Sequence, residues 1–479
     1  MKQQSLKKNM TFQSVYQILL YLIPLFIAPY LTRVLQAEAL GIYSYVNSIA
    51  FYFVIFVNLG ISRHGQRVIA SNRDDKEKCR EVFWSLFTLH LIIGAVVSFL
   101  YFIFAFFIVK ENNVVYFIQG LYVLSAVFDI TWLFYGLENF KSVVIRNSIV
   151  KIIECLLIFL LVKTPGDLWV YTLIMSGSIL LGQLIMLPQA VKELPPKRFP
   201  ASKMKPHMVP MLILFIPVIA STLYTVFDKT LVGLMLENTD VAFYEYANKI
   251  VNIPKCMLAV VGTVMFPRAC KAAADGLIHV QKRYIDISLL LISILSTGCM
   301  FGLIAVSDKL VCLYFGEEFI PCSIILKSMA PLLLIILIGD IARSEYLIPA
   351  KKDKLYVTGI ALAAVLNVIL TILLIPVFGS LGAVIGTTSA ELFNLIYELI
   401  ASRKVIKASR LMKILIPFLL AGILLFAIVT ILDINTPTTW TWLIIEVLTG
   451  ILVYGGISVL LILLLFKEYK NDFFRFRKK

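Results

Sequence analysis

The segment IYSYVNSI at residues 42–49 recurs in a divergent form as FYEYANKI at residues 243–250. Both tyrosines, the asparagine and the final isoleucine keep their register over a distance of about 200 residues. Two further matches keep the same order along the chain and have similar offsets. The first matches Asp129, Tyr135 and Lys141 with Asp340, Tyr346 and Lys352, and the second matches Ile23-Pro24 with Ile216-Pro217. Together these matches predict that the chain contains an internal duplication.

The composition places this duplication in a membrane. The 479 residues are 60% hydrophobic and 15% charged, with a mean hydropathy of +0.90, whereas soluble domains are about 45–50% apolar and 25% charged. These values exclude a cytosolic enzyme, a disordered chain and a secreted disulfide scaffold. Runs near the length of about 20 residues that a bilayer demands number about fourteen. They lie near residues 12–33, 42–62, 83–109, 114–135, 145–163, 168–188, 211–233, 246–267, 286–306, 322–343, 355–376, 381–402, 414–433 and 442–466.

The basic residues fix the predicted orientation. The net charge of +15 would suggest nucleic acid in a soluble protein, but here the positive-inside rule is the better explanation, and no nucleic-acid partner is expected. Lysine and arginine concentrate in every second loop, while Lys110, Lys163 and Lys309 stand almost alone in the loops between. Both termini are therefore predicted to be cytoplasmic, which requires an even number of spans.

Duplication and span count together predict an all-α integral membrane protein of about fourteen helices. Two pseudo-symmetric six-helix bundles, at residues 1–192 and 211–402, are joined by a basic cytoplasmic linker at 193–210 and followed by two helices and a basic tail at 403–479. Six spans per copy give both bundles the same topology, related by an axis along the membrane normal, as in one style of secondary transporter. Such bundles are expected to enclose a central cavity.

Several motifs resemble a known family. They are PYLTRVL at 29–35 with GIY at 41–43, NLGI at 58–61, YGLE at 135–138, FDK at 227–229, MFPR at 265–268, YFGEEF at 314–319, and Pro376 with Gly379, Gly382 and Glu391. In this order they are similar to bacterial polysaccharide repeat-unit flippases, which serve O-antigen, capsule or exopolysaccharide assembly. These belong to the multidrug/oligosaccharidyl-lipid/polysaccharide (MOP) exporter superfamily, whose members include MATE-type transporters.

The resemblance implies a function. It implies movement of an undecaprenyl-diphosphate-linked oligosaccharide from the inner to the outer leaflet of the bacterial cytoplasmic membrane by alternating access. It also implies contact with membrane lipids and work alongside a polysaccharide polymerase and a chain-length regulator. Two alternatives stay open: another exporter of the superfamily, for drugs, small molecules or peptidoglycan precursors, and, from another class, a membrane polymerase or glycosyltransferase.

Cations inside the spans are the first candidate site residues, because intramembrane charges are costly and by default functional. Arg33, Lys229, Lys249 and Lys255 are expected to face the cavity and bind the diphosphate. A guanidinium matches phosphate geometry, but Arg33 equally fits an interfacial anchor whose charged end reaches water.

Acidic residues inside the spans form the second group: Asp228, Asp129, Asp340, Glu154, Glu391 and Glu446. These acids fit cavity or coupling roles, with buried hydrogen-bonded carboxyls as the alternative. Arg343 follows Asp340 by three residues, so the two are predicted to form a structural pair.

No catalytic residues, metal site or cofactor are predicted. The four histidines are scattered and no GxxxxGK[ST] phosphate loop occurs, so this chain is not expected to hydrolyse ATP. The driving force would then come from a gradient of H⁺ or Na⁺, from the membrane potential or from product removal.

Overall fold

A computed structural model describes residues 23–466, without the side chains of residues 217, 220, 221 and 223–225. Within that range the chain is helical apart from short connections and contains no strand. The beginning of the first predicted span, the basic N-terminus, Pro217 as a side chain and the basic tail after residue 466 lie outside the described residues. The predicted all-α membrane fold is confirmed for the part described.

The first half of the chain contains nine helices within the described range. They are α1 Ile23–Val34, α2 Gln36–Asn58, α3 Ile61–Asn72, α4 Lys76–Ile103, α5 Asn113–Val127, α6 Thr131–Gly136, α7 Phe140–Leu161, α8 Leu168–Glu193 and α9 Lys205–Met235. A π-helical turn, Phe104–Ile108, continues α4.

The second half follows with a comparable series. Its helices are α10 Asn238–Leu258, α11 Val260–Ala274, α12 Ile278–Phe315, α13 Cys322–Met329, α14 Leu332–Ile341, α15 Asp353–Phe378, α16 Ser380–Ser402, α17 Ala408–Ile434 and α18 Trp440–Leu465. A π-helical turn, Ala342–Leu347, follows α14 directly.

Ten of the helical segments between residues 23 and 466 are long and apolar enough to cross a membrane. These ten coincide with ten of the fourteen predicted spans, and α1 is a shorter apolar helix at the position of the first. The remaining predicted spans, the fifth, seventh and twelfth, coincide with α7, α9 and α16. Apolar length therefore located the fourteen spans but not the breaks that divide some of them into two helices, such as the break between α2 and α3.

The chain divides into two compact units. Unit 1 runs to Gly233 and includes Glu237–Ala242, and unit 2 contains Leu234–Leu236 and the chain from Phe243 onward. Most of α9 thus belongs to unit 1, although the sequence pattern assigned the span at 211–233 to the second copy. The division into six, six and two spans stays a prediction about the repeat, since a repeat boundary and a packing boundary need not coincide.

Each unit has its own apolar core. In unit 1, Phe83, Trp132 and Phe134 are buried together between α3, α4 and α6. In unit 2, Leu290 from α12 packs in a buried cluster with Phe418 from α17. Because lipid is as apolar as these side chains, such packing stabilises the units through close contact rather than through exclusion of water.

Two glycines explain part of the motif pattern in unit 1. Gly60 has a φ of +77°, and a Cβ there would lie 2.4 Å from the carbonyl oxygen of Met211 in α9. A Cβ on Gly41 would lie 1.7 Å from the carbonyl oxygen of Asn238. Any side chain at either position would collide with a backbone. The NLGI and GIY motifs therefore mark close approaches of helices to one another.

The linker at 193–210 is held against α4. Lys197 Nζ lies 2.9 Å from Glu77 Oε2, and Lys203 Nζ lies 2.9 Å from Glu81 Oε1. Trp84 Nε1 donates to the carbonyl of Leu194 at 2.9 Å. Just before α4, the backbone amides of Lys78 and Glu77 donate to Asp75, which lowers the pKa of that carboxyl below its ordinary value. The two lysine–glutamate ion pairs and the hydrogen bond from Trp84 therefore hold the linker against α4.

A cysteine-labelling experiment tests the predicted orientation. Lys110 and Lys76 are both exposed and flank the span formed by α4. In a background without the native cysteines, Lys110→Cys is expected to react with an impermeant maleimide on intact cells. Lys76→Cys is expected to react only after permeabilisation. The reverse pattern would invert the topology, because one span separates the two positions.

Candidate functional site

Arg343 joins three helices of unit 2 through charged and aromatic contacts. Its Nη1 lies 3.1 Å from Oδ1 of Asp340 in α14, and its Nε donates to Oε1 of Glu398 in α16 at 3.0 Å. The guanidinium also lies 5.7 Å from the ring centre of Tyr356 in α15. Glu398 is 0% exposed. A carboxylate buried this deeply requires a partner, so Arg343 anchors α14, α15 and α16 to each other.

Two further ionisable residues extend this network. Lys255 in α10 interacts electrostatically with Asp340, and Glu391 interacts with Glu398. The amide of Asn394 also contacts Oε1 of Glu398, at 3.5 Å. We call Lys255, Asp340, Arg343, Glu391 and Glu398 the unit 2 charge cluster. Four of these five were predicted as site residues from the sequence. The contact between Asp340 and Arg343 was expected from their spacing, but the association of these two residues with Lys255 and Glu391 was not.

Glu398 is the member that the sequence analysis missed. It lies seven residues after Glu391, and a spacing of seven places two residues on one face of a helix. Both acids fall inside the predicted span at 381–402. The signal was therefore available: a second carboxyl two helical turns from the first, within an apolar run.

Lys249 lies at the second copy of the repeated motif, in the unit 2 part of α10. Its Nζ lies 3.8 Å from Oε1 of Glu245 and 4.2 Å from the ring centre of Tyr246. The side chain of Lys249 is 43% exposed. A cation over an aromatic ring is held in place while its outer side stays accessible. Lys249 can thus meet an anionic group without losing its existing contacts.

Arg33 lies exposed near the end of α1. Its Nη1 donates to the carbonyl of Pro29 at 2.8 Å, one turn earlier in the same helix. This bond uses one of the five guanidinium donors, and the exposed position of the side chain keeps it accessible to a ligand. The same geometry serves an interfacial anchor, so both interpretations made from the sequence fit it.

Asp228 and Lys229 lie in the unit 1 part of α9. Asp228 is buried, and Lys229 is partly exposed. Tyr52 in α2 interacts electrostatically with Asp228, and its hydroxyl lies 2.9 Å from Oγ1 of Thr230. Asp228 therefore faces α2, while the neighbouring Lys229 projects in another direction along the helix.

Asp129 and Glu154 make local contacts in unit 1. Oδ1 of Asp129 accepts hydrogen bonds from the backbone amide and the hydroxyl of Thr131, at 2.9 and 2.7 Å, where α6 begins. Glu154 lies 2.7 Å from Nζ of Lys151 and accepts a hydrogen bond from Ser178 at 2.8 Å. Asp129 and Asp340 match in sequence register but differ in setting, because only Asp340 lies inside a helix. These contacts account for the two carboxyls without a ligand.

The placement of Lys309 in an outer loop was wrong. Lys309 is 5% exposed and lies inside α12, which continues to Phe315. Its Nζ pairs with Glu446 in α18 and lies 2.8 Å from Oδ1 of Asp433 and 2.7 Å from Oγ1 of Thr436. The helix extends past its apolar run because acidic partners from α17 and α18 accept the ammonium. Glu446, considered for ion coupling, is thus one half of a buried ion pair.

Metal ligation finds no support in the part of the chain that the structure covers. No group of three histidine, cysteine, aspartate or glutamate side chains there could hold a metal ion.

The geometry defines a class of protein: an all-helical membrane fold with charged clusters inside apolar spans, typical of multi-span exporters. The lipid II flippase MurJ, in an inward closed conformation, matches with a TM-score of 0.77 over 95% of this chain and 99% of that one, at 17% identity. An inward-facing multidrug resistance MATE family transporter of the MOP superfamily matches with a TM-score of 0.62, over 83% and 96%, at 12% identity. These likenesses confirm the fold predicted from the motifs.

The chain belongs to the polysaccharide biosynthesis protein family, which matches residues 6–273. An O-antigen transporter from Shigella dysenteriae is 25% identical to it over 399 residues, covering 82% of this chain and 99% of that protein. The family resemblance read from the sequence is therefore confirmed.

Proposed function

We propose that this protein flips an undecaprenyl-diphosphate-linked oligosaccharide repeat unit from the inner to the outer leaflet by alternating access, for surface polysaccharide assembly. The observation that carries the proposal is the family match together with similarity to an O-antigen transporter over nearly that protein's full length. The protein would be located in the bacterial cytoplasmic membrane, with both of its termini in the cytoplasm. A polysaccharide polymerase and a chain-length regulator would act next on the flipped unit.

The cations supply the chemistry that such a substrate needs. Its diphosphate head is anionic and must leave water, while its tail stays in lipid. Arg33 near the end of α1, Lys229 in α9 and Lys249 in the middle of α10 offer charged hydrogen-bond donors. Charge-assisted hydrogen bonds to phosphate are about twice as strong as neutral ones. We assign these three residues to diphosphate binding in different steps of the transport cycle.

The acids of the unit 2 charge cluster are proposed to couple transport to an ion. Glu391 and Glu398 are buried and interact with each other. Two carboxyls that share one environment cannot both ionise without a compensating charge. Arg343 compensates one of them, so the second is suited to bind a proton or Na⁺. No other cofactor is proposed.

The alternatives have weaker support. A drug or small-molecule exporter would share the fold, but the cationic side chains favour an anionic substrate. A membrane polymerase or glycosyltransferase would be expected to carry a loop or domain with clustered carboxylates. Apart from Asp129, the acidic residues considered for the cavity lie inside helices instead. A non-enzymatic transporter therefore accounts for more of the chain.

Flipping is measured directly in vesicles. Purified full-length protein, reconstituted with fluorescently labelled undecaprenyl-diphosphate oligosaccharide, is expected to expose inner-leaflet substrate to an impermeant glycosidase. Empty vesicles provide the background, and a labelled cationic drug tests the antiporter alternative. Protection of the oligosaccharide at the level of empty vesicles would contradict the proposal.

Single cation substitutions are expected to slow flipping by about tenfold, which corresponds to the loss of one hydrogen bond to a charged group. Arg33→Ala and Lys249→Ala should each do so while membrane abundance stays unchanged, because both side chains are exposed. Lys110→Ala, another exposed cation, is the matched control and should flip normally. A fall in abundance parallel to the fall in flipping would assign Arg33 and Lys249 to structure instead.

A further inference from the structure

A cavity of about 560 Å³ opens between α7 and α8 in unit 1. Its volume lies within the range of about 300–1,000 Å³ that is typical of small-molecule sites. No candidate residue named for substrate transport lines it. It lies towards the beginning of α7 and the end of α8, where the two helices meet the basic side of the predicted topology.

One wall of this cavity is polar. Lys141, Ser142, Arg146 and Gln189 line it, with Asn139 at the beginning of α7. Gln189 Nε2 donates to the hydroxyl of Ser142 at 3.1 Å, and Oδ1 of Asn139 accepts from that hydroxyl at 3.1 Å. These bonds fix the polar wall before any ligand binds.

Arg146 is the central feature of this wall. It is 9% exposed, and its Nη1 donates to Oε1 of Gln183 in α8 at 3.1 Å. Burial and this bond position the guanidinium, and its planar donors match phosphate oxygens. Lys141 also lines the cavity, is exposed, and adds a second positive charge.

The other wall is aliphatic and open. Ile145, Ile149 and Ile185 line the cavity and are exposed on the surface of α7 and α8. Exposed isoleucines within apolar spans are expected to face hydrocarbon, because lipid tails solvate them. The cavity thus combines a cationic end with an apolar side, which matches a lipid with an anionic head.

We propose that this cavity binds the phosphate headgroup of an anionic phospholipid of the cytoplasmic leaflet, with an acyl chain lying along Ile145, Ile149 and Ile185. Basic pockets between membrane helices on the cytoplasmic side bind such headgroups. The cavity has room for a glycerophosphate group, and none of the residues assigned to diphosphate binding lines it. The proposed occupant is therefore distinct from the transported lipid. The leaflet follows from the predicted orientation.

Native mass spectrometry of the full chain tests this proposal. Protein released from nanodiscs of phosphatidylglycerol and phosphatidylcholine is expected to retain phosphatidylglycerol preferentially. The double variant Arg146→Gln/Lys141→Gln should lower the retained fraction at least tenfold, and Lys141→Gln alone should lower it several-fold. Lys192→Gln is the matched control, because Lys192 is exposed at the same basic end of α8 but does not line the cavity.

Two further arms separate the outcomes. Arg146→Lys keeps a positive charge in the wall and should retain phosphatidylglycerol, which distinguishes binding from folding if Arg146→Gln is unstable. Millimolar inorganic phosphate should not displace the lipid, since the aliphatic wall contributes to binding. Equal retention by the double variant and the control would overturn the site. Full displacement by inorganic phosphate would overturn the lipid as its occupant.

Discussion

Replacing Lys309 by alanine is expected to lower the free energy of unfolding by about 3–5 kcal/mol, the usual cost of removing one partner from a buried ion pair. Glu446 is 0% exposed and pairs with Lys309. Without the ammonium, its carboxylate would remain in an apolar interior with Thr436 as its remaining neighbour, at 3.0 Å. The contacts between α12, α17 and α18 would weaken together.

Denaturation of the detergent-solubilised protein measures this loss. Lys309→Ala should unfold at a lower denaturant concentration and reach a lower abundance in membranes. The double variant Lys309→Met/Glu446→Leu should recover most of the stability, because apolar replacement of a whole buried pair is often neutral. Asp433 is partly exposed at the rim of this cluster and can be hydrated. Unfolding unchanged in Lys309→Ala would show that the pair contributes no stability.

This pair also shows where sequence reasoning reaches its limit. Hydropathy located the apolar runs, because a bilayer imposes a length of about 20 residues on each helix. It could not show that α12 continues past its run to Phe315. That extension depends on Asp433 and Glu446, which are more than 120 residues away in the chain. A charge at a helix end appears the same in sequence whether it faces water or a partner.

The sequence likewise identified most residues of the candidate site but not how they associate. Intramembrane charge identified Lys255, Asp340, Arg343 and Glu391 one by one, since each is costly in an apolar span. Spacing along the chain indicated the contact between Asp340 and Arg343. The association of this pair with Lys255 and Glu391 depends instead on how α10, α14 and α16 pack, which the spacing within one helix does not show. Conversely, Asp129 and Glu154 carried the same signal, but Thr131 and Ser178 account for them locally. The cost of placing an ionisable residue in an apolar span therefore identifies candidates, but it does not show whether a candidate serves transport or packing.

Arg343 is the residue at which that separation can be made experimentally. Arg343→Ala is expected to reduce flipping by at least about a hundredfold and to lower the free energy of unfolding by about 3–5 kcal/mol, because it leaves Glu398 buried without its charged partner. Asp340, which is partly exposed, would keep Lys255 as an electrostatic partner. The damage should therefore centre on α16 and its contact with α14.

A second variant distinguishes the two roles of the cluster. Arg343→Met/Glu398→Met removes both charges, so no uncompensated carboxylate remains at Glu398, and stability and membrane abundance should return near the parent values. If the cluster couples transport to an ion, flipping should stay low in this stable protein and lose its response to an imposed pH or Na⁺ gradient. Recovery of gradient-dependent flipping together with stability would instead make the cluster a structural clamp.

A matched control lies at the end of α16, the helix that carries Glu398. Arg403 follows directly after α16 and is exposed, so Arg403→Met removes an arginine without exposing a buried acid. It should leave both unfolding and flipping unchanged. Arg343→Lys keeps the charge but loses the planar donors that reach Asp340 and Glu398 together. Intermediate flipping in Arg343→Lys with normal abundance would show that the geometry of the guanidinium contributes to transport, in addition to its charge.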